Sequence, residues 1–310
     1  HKVPKGIYIM VFSRHRSEWI KQEHLKSSSF LKINKLSDIA GAEIINLDLK
    51  LPIKLETYEA IISAFLEHHV LVFRNQKLSK EEQVKFTKQF GELEEHVGRL
   101  PDGNRYPVVH TVTNLDPVTG RPTTAPHTHG NYFWHTDKSY HTIPSLMTIL
   151  FAVDVPSTGG DTLFCNMHAA YDALSKNEKE ALIGLKAIHS WEASRLNTGN
   201  TPASEEQKRE RPPVNHPIIR THPETNKKSL YLGMHVGHIC GIPIVESKRL
   251  LKKLLENATV ERNIYRHSWR KGDLVMWDNR CLLHRADRNY DMSSHARILN
   301  RTVVKGSKPV

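Results

Sequence analysis

His135-Thr136-Asp137 and the later His284, in Trp277-Asp-Asn-Arg-Cys-Leu-Leu-His284, supply two imidazoles and one carboxylate. Two histidines and a carboxylate can occupy one face of an octahedral Fe(II), leaving the opposite positions open for substrate and O₂. That chemistry is oxygenation rather than simple binding. The His-x-Asp pair alone is weak. With 20 His and 33 acidic residues among 310, about two His-x-acid triplets arise by chance, and the chain has two. The other, His222-Pro223-Glu224, sits in Thr221-His-Pro-Glu-Thr-Asn-Lys-Lys228, a polar stretch that reads as a turn between strands. His135-x-Asp137 instead follows Tyr132-Phe133-Trp134, an aromatic run suited to a strand. On a strand, residues i and i+2 share a face, so both side chains reach one metal.

Arg297 and Arg301 have Ile298, Leu299, Val303 and Val304 as neighbours, the pattern of an interior strand. Four residues apart on a strand, the two guanidiniums share a face. A guanidinium directed into a core needs an anionic partner, and a carboxylate satisfies its fork bidentately. Beside a metal pocket, one such arginine points to an anionic co-substrate and two point to a second anionic group. Structural salt bridges to Asp or Glu are the alternative.

These residues need elements to position them. Leu31 to Leu49 suggests short strands, Leu55 to Leu66 has helical spacing, and Val70-Leu-Val-Phe73 reads as a buried strand. Ser79-Lys-Glu-Glu82 is a capping box opening a helix through Phe90. Residues 98–131, rich in Pro, Gly, Asn and Thr around a strand at Val108–Val112, form a candidate active-site lid. Leu146–Val153 is a strand, Gly159-Gly160 a turn, and Asn166 caps a helix containing Met167, Ala170, Tyr171 and Leu174. Residues 194–213 read as a charged surface excursion. A hairpin is expected across Ile218–Thr221 and Ser229–Leu232, and a helix over Ser247–Leu255. Strands follow near Asn263–Trp269, Asp273–Trp277, Cys281–His284 and Ala296–Val304. Many short strands with interspersed helices suggest an α+β chain built on an antiparallel sandwich or barrel.

Composition narrows the function classes. The net charge of +11 is scattered, with no basic stripe interleaved with aromatics, so nucleic acid is not an expected partner. A basic surface suits a small anionic substrate instead. No apolar run approaches the roughly 18–20 residues of a membrane span, and no membrane partner is expected. The basic start with its short apolar run lacks a signal-peptide cleavage pattern. Cys165, Cys240 and Cys281 lie far apart, which argues against a disulfide framework or zinc–thiolate motif and fits a cytoplasmic location. The three read as small buried apolar residues. Residues 1–28 read as an N-terminal arm or tail.

Taken in order, Trp134-His135-Thr-Asp137, Gly159-Gly-Asp-Thr162, Asn166-Met-His-Ala-Ala-Tyr-Asp-Ala-Leu174, Gly272-Asp-Leu-Val-Met-Trp-Asp-Asn-Arg-Cys-Leu-Leu-His284 and Arg297-x₃-Arg301 resemble the TauD/TfdA family of Fe(II)/2-oxoglutarate dioxygenases. The resemblance covers roughly residues 30–306. Pro212-Pro-Val-Asn-His-Pro, Leu230-Tyr-Leu-Gly and His235-Val-Gly-His-Ile-Cys-Gly-Ile-Pro243 lean toward its 2,4-dichlorophenoxyacetate branch. It implies a double-stranded β-helix (jelly roll) core with flanking helices, in one domain over 29–310. Iron would be held by His135, Asp137 and His284, and the distal carboxylate of 2-oxoglutarate by Thr162 and Arg297. Arg301 would face the acidic group of the primary substrate, with His96 and Asn131 on the substrate side. Trp277, Asp278 and Asn279 would fix the turn before His284 rather than touch substrate.

The reaction implied is hydroxylation of a small organic acid, an aryloxy- or alkyl-carboxylate, coupled to decarboxylation of 2-oxoglutarate to succinate and CO₂ by O₂. Two other readings stay open at this point. One is a sulfonate or sulfate-ester dioxygenase, because one arginine recognises carboxylate, sulfonate and sulfate alike. The other is a jelly-roll metal-binding protein without activity. A homo-oligomer is expected.

Overall fold

The computed structural model describes residues 31–94, 107–124 and 129–310. The chain opens with a hairpin of β1 (Lys32–Lys35) and β2 (Ala42–Ile45), followed by α1 (Leu55–His68) and β3 (Val70–Phe73). Next comes α2 (Lys80–Lys88), where the Ser79 hydroxyl and Glu82 carboxylate each satisfy the other's backbone N–H, as the capping box predicts. Then follow β4 (His110–Thr113), β5 (Ser145–Asp154), β6 (Thr162–Asn166), α3 (Met167–Asp172) and α4 (Lys176–Leu182). The Asn166 side chain accepts from the N–H groups of His168 and Ala169, which starts α3 where the sequence places it.

The middle of the chain holds β7 (Lys186–His189), α5 (Trp191–Asn197), α6 (Glu205–Glu210) and β8 (Val214–Pro217). Residues 194–213 are partly helical, with no residue of α6 buried, and Ser204 with Gln207 forms a further capping box. A hairpin of β9 (Ile219–Thr221) and β10 (Lys228–Leu230) follows, then β11 (Val236–Ile239) and α7 (Ile244–Ala258). This last helix is longer than expected at both ends, with Val245 exposed on its first turn. The C-terminal strands are β12 (Ile264–His267), β13 (Leu274–Asp278), β14 (Leu282–Ala286) and β15 (Ile298–Lys305).

Seven strands form one sheet in the order β1-β2-β3-β13-β5-β15-β4, and three form another, β12-β6-β14. Smaller sheets, β11-β7-β8 and β10-β9, flank them. Alternation along the large sheet divides the core. Leu71, Phe73, Ile149 and Met276 pack on one face against Phe65 of α1 and Phe86 of α2. Val72, Leu150, Val275, Trp277 and Leu299 point the other way, onto Phe164 and Leu282 of the three-stranded sheet. Because β13 is buried on both faces, its sequence is a continuous apolar run with no alternation. Each such buried side chain contributes about 1.5–3 kcal/mol. The result is an α+β chain, with β14 and β15 lying in different sheets that enclose the second of these cores. No helix among the described residues is long and apolar enough to cross a membrane.

Candidate active site

The approach of His135 to His284 depends on a single antiparallel bridge. The His135 N–H donates to the His284 carbonyl at 3.1 Å, and the His284 N–H to the His135 carbonyl at 2.8 Å. This corrects the expectation of a strand over Tyr132–Trp134: residues His129–Tyr132 make one turn of 3-10 helix, and a turn begins at Asp137. Backbone from elsewhere completes the placement. The Met234 N–H donates to the Trp134 carbonyl at 2.9 Å. Gly233, at φ +123°, passes so close that a Cβ there would lie 3.1 Å from the Trp134 carbonyl oxygen and 3.2 Å from the His135 Cα. Only glycine fits that approach.

One donor atom each from His135, Asp137 and His284 falls within 4.8 Å of the others. Asp137 Oδ1 lies 3.7 Å from His135 Nε2 and 3.9 Å from His284 Nε2. The His135 ring is oriented by its Nδ1, which donates to the Phe133 carbonyl at 2.7 Å and leaves Nε2 facing inward. His284 packs against Trp277, with ring centroids 4.7 Å apart.

Asp137 is held on three sides. Thr148 Oγ1 donates to its Oδ2 at 2.5 Å, Arg301 Nη2 lies 3.1 Å from the same oxygen, and its backbone N–H donates to Asn279 Oδ1 at 3.3 Å. Asn279 also donates to Thr148 Oγ1 at 2.9 Å and accepts from Trp277 Nε1 at 3.1 Å. Trp277 and Asn279 thus brace Thr148 and the backbone of Asp137, a role beyond the expected one of fixing the turn before His284.

Electrostatics prepare the same three groups for a cation. Burial alone would raise the Asp137 carboxyl, but Arg301 and the two imidazoles hold it far below the usual carboxylate range. Burial lowers both His135 and His284, against the pull of Asp137. Two neutral imidazoles and an ionised carboxylate form the donor set that an octahedral divalent metal accepts on one face.

A second pocket is built around Arg297. Its Nε donates to the Gly160 carbonyl at 2.8 Å and its Nη2 to Thr162 Oγ1 at 3.1 Å, while Trp269 Nε1 donates to the same hydroxyl at 2.9 Å. Gly160, at φ +67°, turns the chain tightly here, and a Cβ would meet Pro156 at 2.9 Å. Arg297 is only 6% exposed, yet among the described residues it forms no ion pair with a carboxylate. A buried cation with no carboxylate in direct contact and only Asp161 nearby is costly, so the arrangement suits an incoming anion. Thr162 pairs with Ala286 on β14 two residues beyond His284, which ties this pocket to the metal-binding end. Arg297 falls just before β15 and turns to Gly160 and Thr162, while Arg301 on β15 turns to Asp137.

Other expected residues fall as follows. Asn131 is half-buried on the 3-10 turn leading into His135. His96, and residues 98–106 and 125–128 of the lid segment, lie outside the described residues. The comparison pair His222-x-Glu224 does sit in the β9–β10 turn, but His222 is buried, not exposed, with its Nε2 3.0 Å from Asp278 Oδ2. Two further residues stand close to the triad. His235 lies with its ring centroid 6.2 Å from that of His135 and 4.8 Å from that of Tyr140, and burial pushes it down to about 3. Lys138, at φ +56°, buries its ammonium 2.8 Å from Glu94 Oε1. The His235-Val-Gly-His motif marked a branch of the family without placing its first histidine beside the metal.

Comparison with known proteins gives the family. A family model described as "Taurine catabolism dioxygenase TauD, TfdA family" matches residues 32–303. An alpha-ketoglutarate-dependent 2,4-dichlorophenoxyacetate dioxygenase of Cupriavidus pinatubonensis is 39% identical over 279 residues, covering 87% of this chain and 96% of that protein. An alpha-ketoglutarate-dependent sulfate ester dioxygenase of Pseudomonas putida is 31% identical over 289 residues, or 90% of this chain and 91% of that one. The crystal structure of AAD-2 in complex with Mn(II) and N-oxalylglycine matches with a TM-score of 0.80 at 37% identity, covering 90% of this chain and 98% of that one.

Proposed function

Because this chain belongs to the TauD/TfdA family of Fe(II)/2-oxoglutarate-dependent dioxygenases, we propose that it hydroxylates an aryloxy- or alkyl-substituted carboxylate. His135, Asp137 and His284 would hold the iron. One observation carries the reading: of two guanidiniums close in sequence, Arg301 on β15 pairs with Asp137, whereas the buried Arg297 just before β15 pairs with no carboxylate among the described residues and instead bonds Gly160 and Thr162. Two anionic groups are therefore expected, a co-substrate and a substrate.

When bound, iron and 2-oxoglutarate with O₂ supply the oxidising power that puts a hydroxyl on the substrate and releases succinate and CO₂. The protein's own groups orient and seal. Arg297 and Thr162 take the distal carboxylate of 2-oxoglutarate, the guanidinium with paired charge-assisted bonds and the hydroxyl with a single one. Thr148 and Asn279 keep Asp137 from rotating, and the Phe133 carbonyl keeps the His135 proton on Nδ1. Arg301 receives the substrate carboxylate and so sets which C–H is presented. If the hydroxylated carbon carries an ether oxygen, the product collapses to an alcohol or phenol and an aldehyde or keto acid.

The large sheet facing β12-β6-β14 across the Trp277 core fits a double-stranded β-helix in one domain over 29–310. A second reading, hydroxylation of a sulfate ester or sulfonate, is favoured by the likeness to the P. putida enzyme. Asn131 and His96 would stand on the substrate side in either case. Succinate release with 2,4-dichlorophenoxyacetate, an alkyl sulfate and no substrate tests the choice. Stimulation by the aryloxy acid, lost in Arg301→Leu, is the expected result. Stimulation by the sulfate alone would move the assignment to the second reading. No stimulation by aryloxy or alkyl carboxylates would sink the carboxylate assignment.

A further inference from the structure

Behind the turn that delivers His284 lies another set of metal-binding side chains, buried apart from the triad. One nitrogen of His69, one of His168 and the sulfur of Cys281 all fall within 4.8 Å of one another. His69 is the left-handed C-cap residue of α1, His168 belongs to α3, and Cys281 precedes β14. We propose that these three side chains bind one thiophilic divalent ion of the zinc class.

The tautomer of His168 is the first argument. Its Nδ1 lies 2.6 Å from the Lys228 carbonyl, which can only accept, so the proton sits on Nδ1. Its Nε2 therefore carries a lone pair, and that atom is buried with no hydrogen-bond partner. A carbonyl behind one ring nitrogen and a free lone pair on the other is the arrangement of a ligating histidine. Left without an ion, such a buried acceptor costs about 1–3 kcal/mol.

Distance and softness supply the second. Cys281 Sγ lies 3.5 Å from His69 Nδ1. A tetrahedral zinc with Zn–S ~2.3 Å and Zn–N ~2.0–2.1 Å has sulfur–nitrogen edges of ~3.6 Å, so one edge is already formed. Closing the others requires movement on the order of an ångström. Thiolate with imidazole selects zinc over hard oxygen-seeking cations, whereas the His135–Asp137–His284 set offers no sulfur.

Neighbouring groups are arranged to leave these three atoms available. His222 is engaged at both nitrogens: Nε2 faces Asp278 Oδ2 at 3.0 Å, and Nδ1 accepts the N–H groups of Glu224 and Thr225 at 3.3 Å. Asp278 is tied to Arg280, which also pairs with Glu224. Burial and Asp278 hold the Cys281 thiol well above its ordinary range, against the pull of Arg280 and Arg220, so its proton leaves only in exchange for the ion. Burial pushes His69 down to about 4 and lowers His168, so neither proton competes near neutral pH. The balance is simple: the Cys281 S–H bond breaks, a proton leaves to solvent, and a sulfur–metal bond forms. The ion would staple α1, α3 and the start of β14 together, three residues before His284.

The test uses metal-stripped full-length protein titrated with Co(II), then Zn(II). The expected result is two ions per chain, with a thiolate-to-cobalt charge-transfer band that Zn(II) displaces. Cys281→Ser should abolish the band and leave one ion per chain, while Asp137→Ala, which damages only the triad, should keep the band. If Cys281→Ser does not fold, His168→Gln should weaken the band-forming ion by at least about tenfold. One ion per chain in the wild type, no thiolate band, or a band undiminished in Cys281→Ser or His168→Gln overturns the proposal. A simple S–H···N hydrogen bond between Cys281 and His69 then explains the contact.

Discussion

Replacing Arg297 with methionine separates a co-substrate clamp from a structural ion pair. The variant loses two hydrogen bonds, to the Gly160 carbonyl at 2.8 Å and Thr162 Oγ1 at 3.1 Å. Thr162 keeps its bond from Trp269, so the main loss is the stranded Gly160 carbonyl, about 1–3 kcal/mol. Against this, a buried charge with no acidic partner among the described residues is removed, which returns a comparable amount. Stability of the co-substrate-free protein should therefore change by no more than about 1 kcal/mol. Binding of 2-oxoglutarate should suffer far more. Loss of a buried charge-assisted carboxylate pair costs about 3 kcal/mol, or roughly a hundredfold in Kd. Anaerobic titration of the Fe(II) form by calorimetry measures that Kd, and unfolding with and without 2-oxoglutarate measures the linkage. At a concentration of about 100 times the wild-type Kd, the wild type should gain about 2.7 kcal/mol and the variant about 0.4 kcal/mol. A variant destabilised by about 3–5 kcal/mol with unchanged 2-oxoglutarate affinity would refute this and make Arg297 half of a structural ion pair.

Three further outcomes follow from the same geometry. Thr148→Val removes the 2.5 Å bond to Asp137 and should weaken Fe(II) binding by about 10–100-fold in a competition titration, with the fold intact; unchanged affinity would show that Asn279 suffices. Gly233→Ala forces a Cβ against Trp134 and His135, and should cost about 1–3 kcal/mol of stability together with iron affinity; a stable variant with normal iron binding would contradict the close approach. Burial holds His69 at about 4 and His189 well below its ordinary value, with His216 adding repulsion. Their unfolded forms titrate near ~6.5, so above that pH neither changes stability. Below it, the unfolded chain takes up protons that the folded one refuses. These two alone should cost metal-free protein about 3 kcal/mol between pH 7.5 and 5.5 in denaturant titrations, with the lowered His135, His168, His235 and His284 adding in the same direction, and a flat profile would count against these buried neutral imidazoles.

What the sequence disclosed depended on whether a feature was local. The triad was legible because the identity and order of its residues are chemical facts about the chain. Its local structure was not: an aromatic run suggested a strand over Tyr132–Trp134, whereas one bridge, the Gly233 approach and the Asn279 side chain do the positioning. The capping box at Ser79 and the Asn166 cap act within one turn, and both form. Ser204-Glu-Glu-Gln207 carried the same signal, obscured by the charged residues after it. Arg297 and Arg301 were readable as inward-facing from their apolar neighbours, and both are partnered inside the fold. Burial of His222 was hidden because its partner, Asp278, is distant in sequence and the local stretch is polar. His235 comes beside His135 by the path of the chain after Gly233, which no spacing rule encodes. Cys281 was read as inert packing, and only the fold sets it beside His69 and His168.

The central claim is that the triad and the Arg297 pocket together hold an Fe(II)–2-oxoglutarate pair. The most direct measurement is the anaerobic visible absorption of Fe(II)-loaded protein before and after 2-oxoglutarate is added. A weak metal-to-ligand charge-transfer band that appears on addition, and is absent in Asp137→Ala, is the predicted result. No band, in protein shown to carry iron that depends on Asp137, would leave the metal site standing and contradict the co-substrate assignment.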